Sequence, residues 1–173
     1  LFTVLQKLKM PSSIISMINI MYQNANSRVS INGFLSDTLF IQAGVRQGCP
    51  MSPALFICAL EPFLCHLRND HAIPGLFVPR GSGTSAKLLA YMDDVTILCT
   101  GPTSIRGALS QAEKFKNLSG LSLNKEKCVC LTVGAWDRLA QLPITMTTSP
   151  IKVLGVWFAA KGHEEKNWVN THT

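Results

Sequence analysis

Helical and hairpin patterns alternate along this sequence, and together they predict an α+β fold. Three observations carry that expectation. Four segments repeat apolar residues at helical spacing, and several short β-rich runs are bounded by glycine, asparagine or proline. No internal repeat or low-complexity tract interrupts them. The 173 residues, 47% apolar and 15% charged, are enough for one cored domain and too apolar for a disordered chain.

Taken in order, Leu1, Val4, Leu5 and Leu8 share a helical face that Met10-Pro11 stops. Ser12 or Ser13 caps a second helix through Ile14, Ile15, Met17, Ile18 and Met21 to about Tyr22. Residues 28–33 alternate, turn at Asn32-Gly33 and continue into 37–44, which reads as a hairpin. A loop over 44–53 leads to an apolar helix from about Ser52 to Leu67. Pro53 suits its first turn, and Pro62 argues for a bend. A polar, glycine-rich connection spans 69–84. Two apolar arms over 88–99 form a second hairpin. Thr103 to Leu118 follows as an amphipathic helix with Ile105, Leu109, Ala112 and Phe115 on one face and Gly120 as its stop. Strands are expected over 128–133 and 151–158, with Cys128 and Cys130 on one strand face.

Composition narrows the partners. A net charge of +6 favours anions, with nucleic acid ahead of membrane, although a mildly basic surface without a partner has the same charge. The six cysteines contain no Cys-x-x-Cys pair, so zinc ligation is poorly supported and buried, reduced thiols are expected. The chain is therefore expected to be intracellular, with cytoplasm and nucleus not distinguished. Neither a signal peptide nor a membrane span is expected, and oligomeric state is left open. The opening falls inside an amphipathic pattern with no initiator methionine, and residues 159–173 read as a polar tail. Both ends look cut.

Two segments carry chemistry. Asp93 and Asp94 stand side by side between apolar arms in LLAYMDDVTILC, residues 88–99. Removing water from adjacent carboxylates is expensive, so such a pair is neutralised by a cation or lies at a turn that reaches solvent. Hard cations such as Mg²⁺ take oxygen ligands, and a hairpin holds carboxylates rigidly enough to present them. An ordinary solvated turn remains the alternative. In GVRQGCPMSPALF, residues 44–56, Gly44 and Gly48 allow close backbone approach, Arg46 offers a planar charged fork and Gln47 both donates and accepts. The plain alternative is a strand-to-helix connection capped by Ser52.

Read together, these two blocks resemble the reverse transcriptases of LINE-type non-LTR retrotransposons. FKNLSGLSLNKEK at 115–127, with Asn124 and Lys127 in Asn-x-x-Lys spacing, is similar to the family segment after the catalytic hairpin. VLGV at 153–156 resembles the primer-grip strand. Residues 14–44 resemble the helix and hairpin between the family's first two catalytic blocks. The resemblance covers roughly 1–158 and implies a partial right-hand polymerase palm. It also implies RNA-templated DNA synthesis by two-metal nucleotidyl transfer, with Mg²⁺ or Mn²⁺, an RNA template, a DNA primer and deoxynucleoside triphosphates. Asp93 is implied as a metal ligand and Asp94 as the neighbouring active-site carboxylate. Tyr91 and Met92 would lie beside the primer terminus or incoming nucleotide. Gln47 and Gly48 would form the nucleotide and template pocket with Arg46 near nucleic acid. For Lys127 a phosphate contact or a general-acid role is implied, beside the plain reading of a solvated lysine.

The family's first catalytic block carries an aspartate on a strand before a helix, and this chain begins within that helix. Asp37 lies on the wrong hairpin to replace it, and Asp70 comes in the wrong order. A fragment inactive in isolation is therefore expected, with exposed apolar edges and marginal stability. A non-catalytic nucleic-acid-binding remnant is the second reading, and a metal-dependent phosphodiesterase ranks third.

Overall fold

The computed structural model describes residues 1–41, 44–45, 48–78, 85–134 and 141–159. It divides into two units, Leu1–Pro62 and Phe63–Thr173.

The apolar spacing at the start of the chain produces α1 (Phe2–Lys7) and α2 (Ser12–Tyr22), separated by Lys9 at φ 57° and by Pro11. Leu5 and Ile18 are fully buried and pack with Leu55; Phe2, Ile15, Tyr22 and Met51 close around them. Each such fully buried side chain contributes about 1.5–3 kcal/mol.

Asn32 (φ 50°) and Gly33 (φ 85°) form the expected turn. It pairs β2 (Ser30–Ile31) with β3 (Phe34–Leu35). The hairpin then continues past an interruption, where β1 (Asn26–Ser27) pairs antiparallel with β4 (Leu39–Phe40). Side chains bridge that interruption: the Val29 amide donates to Ser36 Oγ at 3.0 Å and Arg28 Nε donates to Thr38 Oγ1 at 2.9 Å. Phe34 is 81% exposed, and Ile31 and Phe40 also face solvent. The long apolar helix is α3 (Ser52–Asn69); it contains Pro62 and ends two residues beyond its expected end at Leu67.

In the second unit Leu67 and Ile73 are fully buried against Ala108, with Phe63, Leu88 and Ile97 around them. The Phe63 and Phe115 rings stack with centroids 5.1 Å apart. β5 (Leu76–Phe77), within the stretch 69–84 expected only as a connection, pairs with β6 (Ser85–Ala86) just after it. The hairpin β7 (Leu88–Tyr91) and β8 (Asp94–Ile97) follows, then α4 (Pro102–Ser119). Ser104 caps α4: its Oγ accepts from the Thr100 and Gly101 amides and donates to the Gly101 carbonyl. Gly120, at φ 76°, ends it as expected. Of the expected α4 face Ile105 is buried, together with Ser104 and Ala108, while Leu109, Ala112 and Phe115 are half-buried.

Several expectations are corrected. Pro11, not Ser12 or Ser13, stands at the N-cap of α2, with no side-chain capping hydrogen bond. The six cysteines are free but half-buried, or exposed for Cys65, rather than buried. The strand expected over 128–133 is shorter, β9 (Val129–Leu131), and pairs in parallel with β10 (Thr145–Thr147), an element the sequence did not signal. Residues 151–158 are not one strand but a hairpin, β11 (Ile151–Val153) and β12 (Val156–Phe158). Leu154 (φ 49°) and Gly155 (φ 88°) make its turn. Helices with small strand pairs, nearly all antiparallel, give the α+β class. Among the described residues no helix is long and apolar enough to cross a membrane.

Candidate active site on the β7–β8 hairpin

Alternation along β7 and β8 turns Leu88 and Ile97, which are cross-strand partners, toward the core of the second unit. By the same alternation Leu89, Tyr91, Asp94 and Thr96 share the opposite face. Tyr91 pairs with Asp94, leaving Met92 and Asp93 as a two-residue loop. Met92 has φ 53°. Positive φ at the first position of a tight hairpin loop favours glycine or asparagine, so the methionine costs about 1 kcal/mol of local strain. The apolar arms hold this conformation through a ladder that runs as far as Leu98, whose amide donates to the Lys87 carbonyl at 2.7 Å.

Tyr91, Met92, Asp93 and Asp94 are thus brought together at one tip, and all four are exposed. Of the two readings open to the carboxylate pair, the turn reaching solvent is the one the backbone provides. Solvent alone can stabilise both charges there, so the tip is compatible with a cation without requiring one. Among the described residues neither aspartate has a lysine, arginine or histidine partner. The donor set is oxygen only, which suits a hard divalent ion. It is also incomplete: among the described residues no group of three or more histidine, cysteine, aspartate or glutamate side chains could hold a metal ion.

Arg46 and Gln47 lie outside the described residues. Gly48 is exposed in the first unit at φ 82°, a conformation glycine adopts without strain. The residues after it are tied to α2. Tyr22 Oη lies 3.2 Å from Ser52 Oγ and donates to Cys49 Sγ at 3.9 Å, while the Ser52 amide donates to the Cys49 carbonyl at 3.0 Å. Composition and spacing did not signal this Tyr22–Cys49–Ser52 anchor. A polar tip on an otherwise apolar helix face was its only trace.

Lys127 is exposed in the turn before β9. Its amide donates to Asn124 Oδ1 and to the Asn124 carbonyl, each at 3.2 Å, so Asn124 fixes the turn. Asp70, set aside as a replacement for the first catalytic carboxylate, serves architecture. Its Oδ1 accepts from the Ala72 amide and its Oδ2 from Gln111 Nε2, both at 2.8 Å.

With this geometry in view, comparison with known proteins gives the class. Residues 1–158 match the family model "Reverse transcriptase (RNA-dependent DNA polymerase)". The chain belongs to that reverse transcriptase family. It is 32% identical over 166 residues to a transposon TX1 uncharacterized 149 kDa protein from Xenopus laevis, covering 93% of this chain and 12% of that protein. It is 29% identical over 135 residues to a retrovirus-related Pol polyprotein from type-1 retrotransposable element R2 of Popillia japonica, covering 70% of this chain and 18% of the relative. A type-2 R2DM polyprotein from Drosophila melanogaster is 20% identical over 171 residues. The chain therefore spans less than a fifth of these relatives. They are non-LTR retrotransposon proteins, which bears out the resemblance drawn from the motifs.

Proposed function

We propose that residues 1–158 are a polymerase palm and that the β7–β8 tip is the carboxylate-bearing part of its nucleotidyl-transfer site. The single observation carrying this reading is the pair Asp93 and Asp94, without a cationic partner among the described residues and presented on a strained two-residue loop, in a chain of the reverse transcriptase family. Asp93 and Asp94 would hold Mg²⁺, with Mn²⁺ as a substitute. The chemistry supplied by an ion held there would be activation of the attacking oxygen and stabilisation of the leaving one. The protein's own part is placement: paired strands fix both carboxylates, and Tyr91 and Met92 flank the place of the primer terminus or incoming nucleotide. Arg46, Gln47 and Gly48 contribute to the nucleotide and template pocket, and Lys127 to a phosphate contact. The substrates are an RNA template, a DNA primer and deoxynucleoside triphosphates. Two carboxylates underfill a two-metal site, and among the described residues no further ligand cluster completes it; we propose that the 173 residues do not polymerise alone.

RNA-templated primer extension tests both claims. Joined to the remaining polymerase segments of a relative, residues 1–158 should support extension that Asp93→Asn lowers by about a hundredfold or more. Undiminished extension by that variant contradicts the assignment. Clear Asp93-dependent extension by the 173 residues alone contradicts the incomplete site. Salt-dependent RNA binding that survives Asp93→Ala and Asp94→Ala, with no extension in either form, would favour a binding remnant instead.

A further inference from the structure

The root of the β7–β8 hairpin is held by a turn that neither the family match nor the motifs point to. Between α3 and β5 the chain turns over residues 70–75. The Asp70 carboxylate takes the Ala72 amide on one oxygen and Gln111 Nε2 of α4 on the other, both at 2.8 Å. Lys87, the residue immediately before β7, donates its ammonium to the Asp70 carbonyl at 3.0 Å. The same Lys87 forms the last rung of the hairpin ladder by accepting the Leu98 amide on its own carbonyl. At the other end of the turn, Gly75 (φ 77°) lies so close to the hairpin root that an added Cβ would fall 2.5 Å from the Ala86 carbonyl oxygen and 2.8 Å from Lys87 Cγ. Beneath the turn, Ile73 is buried with Leu67 and Ala108, and Leu88 and Ile97 pack on them. One turn therefore joins the end of α3, the middle of α4 and the base of both hairpin strands.

We propose that the turn over 70–75 is a clamp that sets where the Asp93–Asp94 tip points, with Asp70, Lys87 and Gln111 as positioning residues. The proposal rests on the reading of Asp93 and Asp94 as metal ligands. Leverage gives it consequence. From Lys87 to the tip is roughly 15 Å at strand rise, so tilting the root by about 5° moves the carboxylates by about 1 Å. Displacements of that size matter to metal coordination and to reacting atoms. Lys87 holds a backbone carbonyl, and that carbonyl is fixed because the Asp70 carboxylate pins the turn bearing it to α4.

Amide hydrogen exchange and Mn²⁺ titration of this chain test the clamp. Lys87→Met and Gln111→Leu should each speed exchange of the β7 and β8 amides about tenfold relative to those of α4. Each should also weaken Mn²⁺ binding at the tip by about tenfold or more. Lys87→Arg, which keeps a donor, should restore both. Ile105→Val serves as the control for general destabilisation. It should affect α4 and hairpin amides alike and leave Mn²⁺ binding unchanged. If Lys87→Met and Gln111→Leu behave like Ile105→Val, their role is merely structural and the clamp is overturned. If the wild-type chain shows no Asp93-dependent Mn²⁺ binding, the metal reading fails separately. Selective loosening of the hairpin still decides the clamp, and its absence overturns it.

Discussion

At the residue scale, hydrogen bonds and burial separate thiols that the sequence presents as equivalent. The Met51 amide hydrogen-bonds Cys49 and, against some desolvation, lowers its pKa from the ordinary thiol value, with Tyr22 and Ser52 contributing in the same direction. Burial pushes the Cys99, Cys128 and Cys130 thiols up. Thiolate is the reactive form, so iodoacetamide near neutral pH should label Cys49 ahead of those three, as read by peptide mass spectrometry. Equal labelling would contradict the Tyr22–Cys49–Ser52 arrangement. Asp70 supplies a second test. The Ala72 amide first, then Gln111, hold its carboxyl below the usual carboxylate range, with smaller help from the charges of His66 and Lys87. A depressed folded-state pKa stabilises the fold above the unfolded value, near pH 4, and the stabilisation is lost as pH falls through the folded value. Asp70→Asn should therefore melt at lower temperature than wild type at pH 7, and the two should converge on acidification. The sequence could rule Asp70 out as a catalytic replacement, but its partner Gln111 lies 41 positions away. No local pattern reports such a contact.

Among the elements, legibility followed the range of the forces involved. The Asn32-Gly33 turn and the Gly120 stop were readable because one or two residues dictate the backbone there. The α4 face was readable because periodicity records burial along a single helix. Ile105→Ala should accordingly cost about 2–5 kcal/mol, since Ile105 is 6% exposed. Leu118→Ala, at 88% exposed, should stay within about 0.5 kcal/mol by chemical denaturation. A reversed order would show that the helix packs on another face. β10 escaped because Thr145–Thr147 becomes a strand only through parallel pairing with Val129–Leu131, with both partners short. The Leu154-Gly155 turn does leave a signal, a glycine between apolar runs, but a single glycine inside a β-rich run fits a continuous strand equally well.

On the scale of the whole molecule, the family was legible in the order of its motifs. Motif order and spacing identified a reverse transcriptase, and the family match over 1–158 agrees. The geometry then separates two properties that the motif merges. Rigid presentation of Asp93 and Asp94 is built into the second unit through the β7–β8 ladder and the turn over 70–75. Full metal coordination is not supplied by the described residues. The central claim is that this tip binds a divalent ion. Paramagnetic broadening of backbone amide signals by Mn²⁺ tests it most directly in the purified chain. Broadening centred on Tyr91 to Val95, displaced by excess Mg²⁺ and abolished by Asp93→Asn with Asp94→Asn, is the predicted result. Broadening that is unchanged by those substitutions, or centred elsewhere, would contradict it.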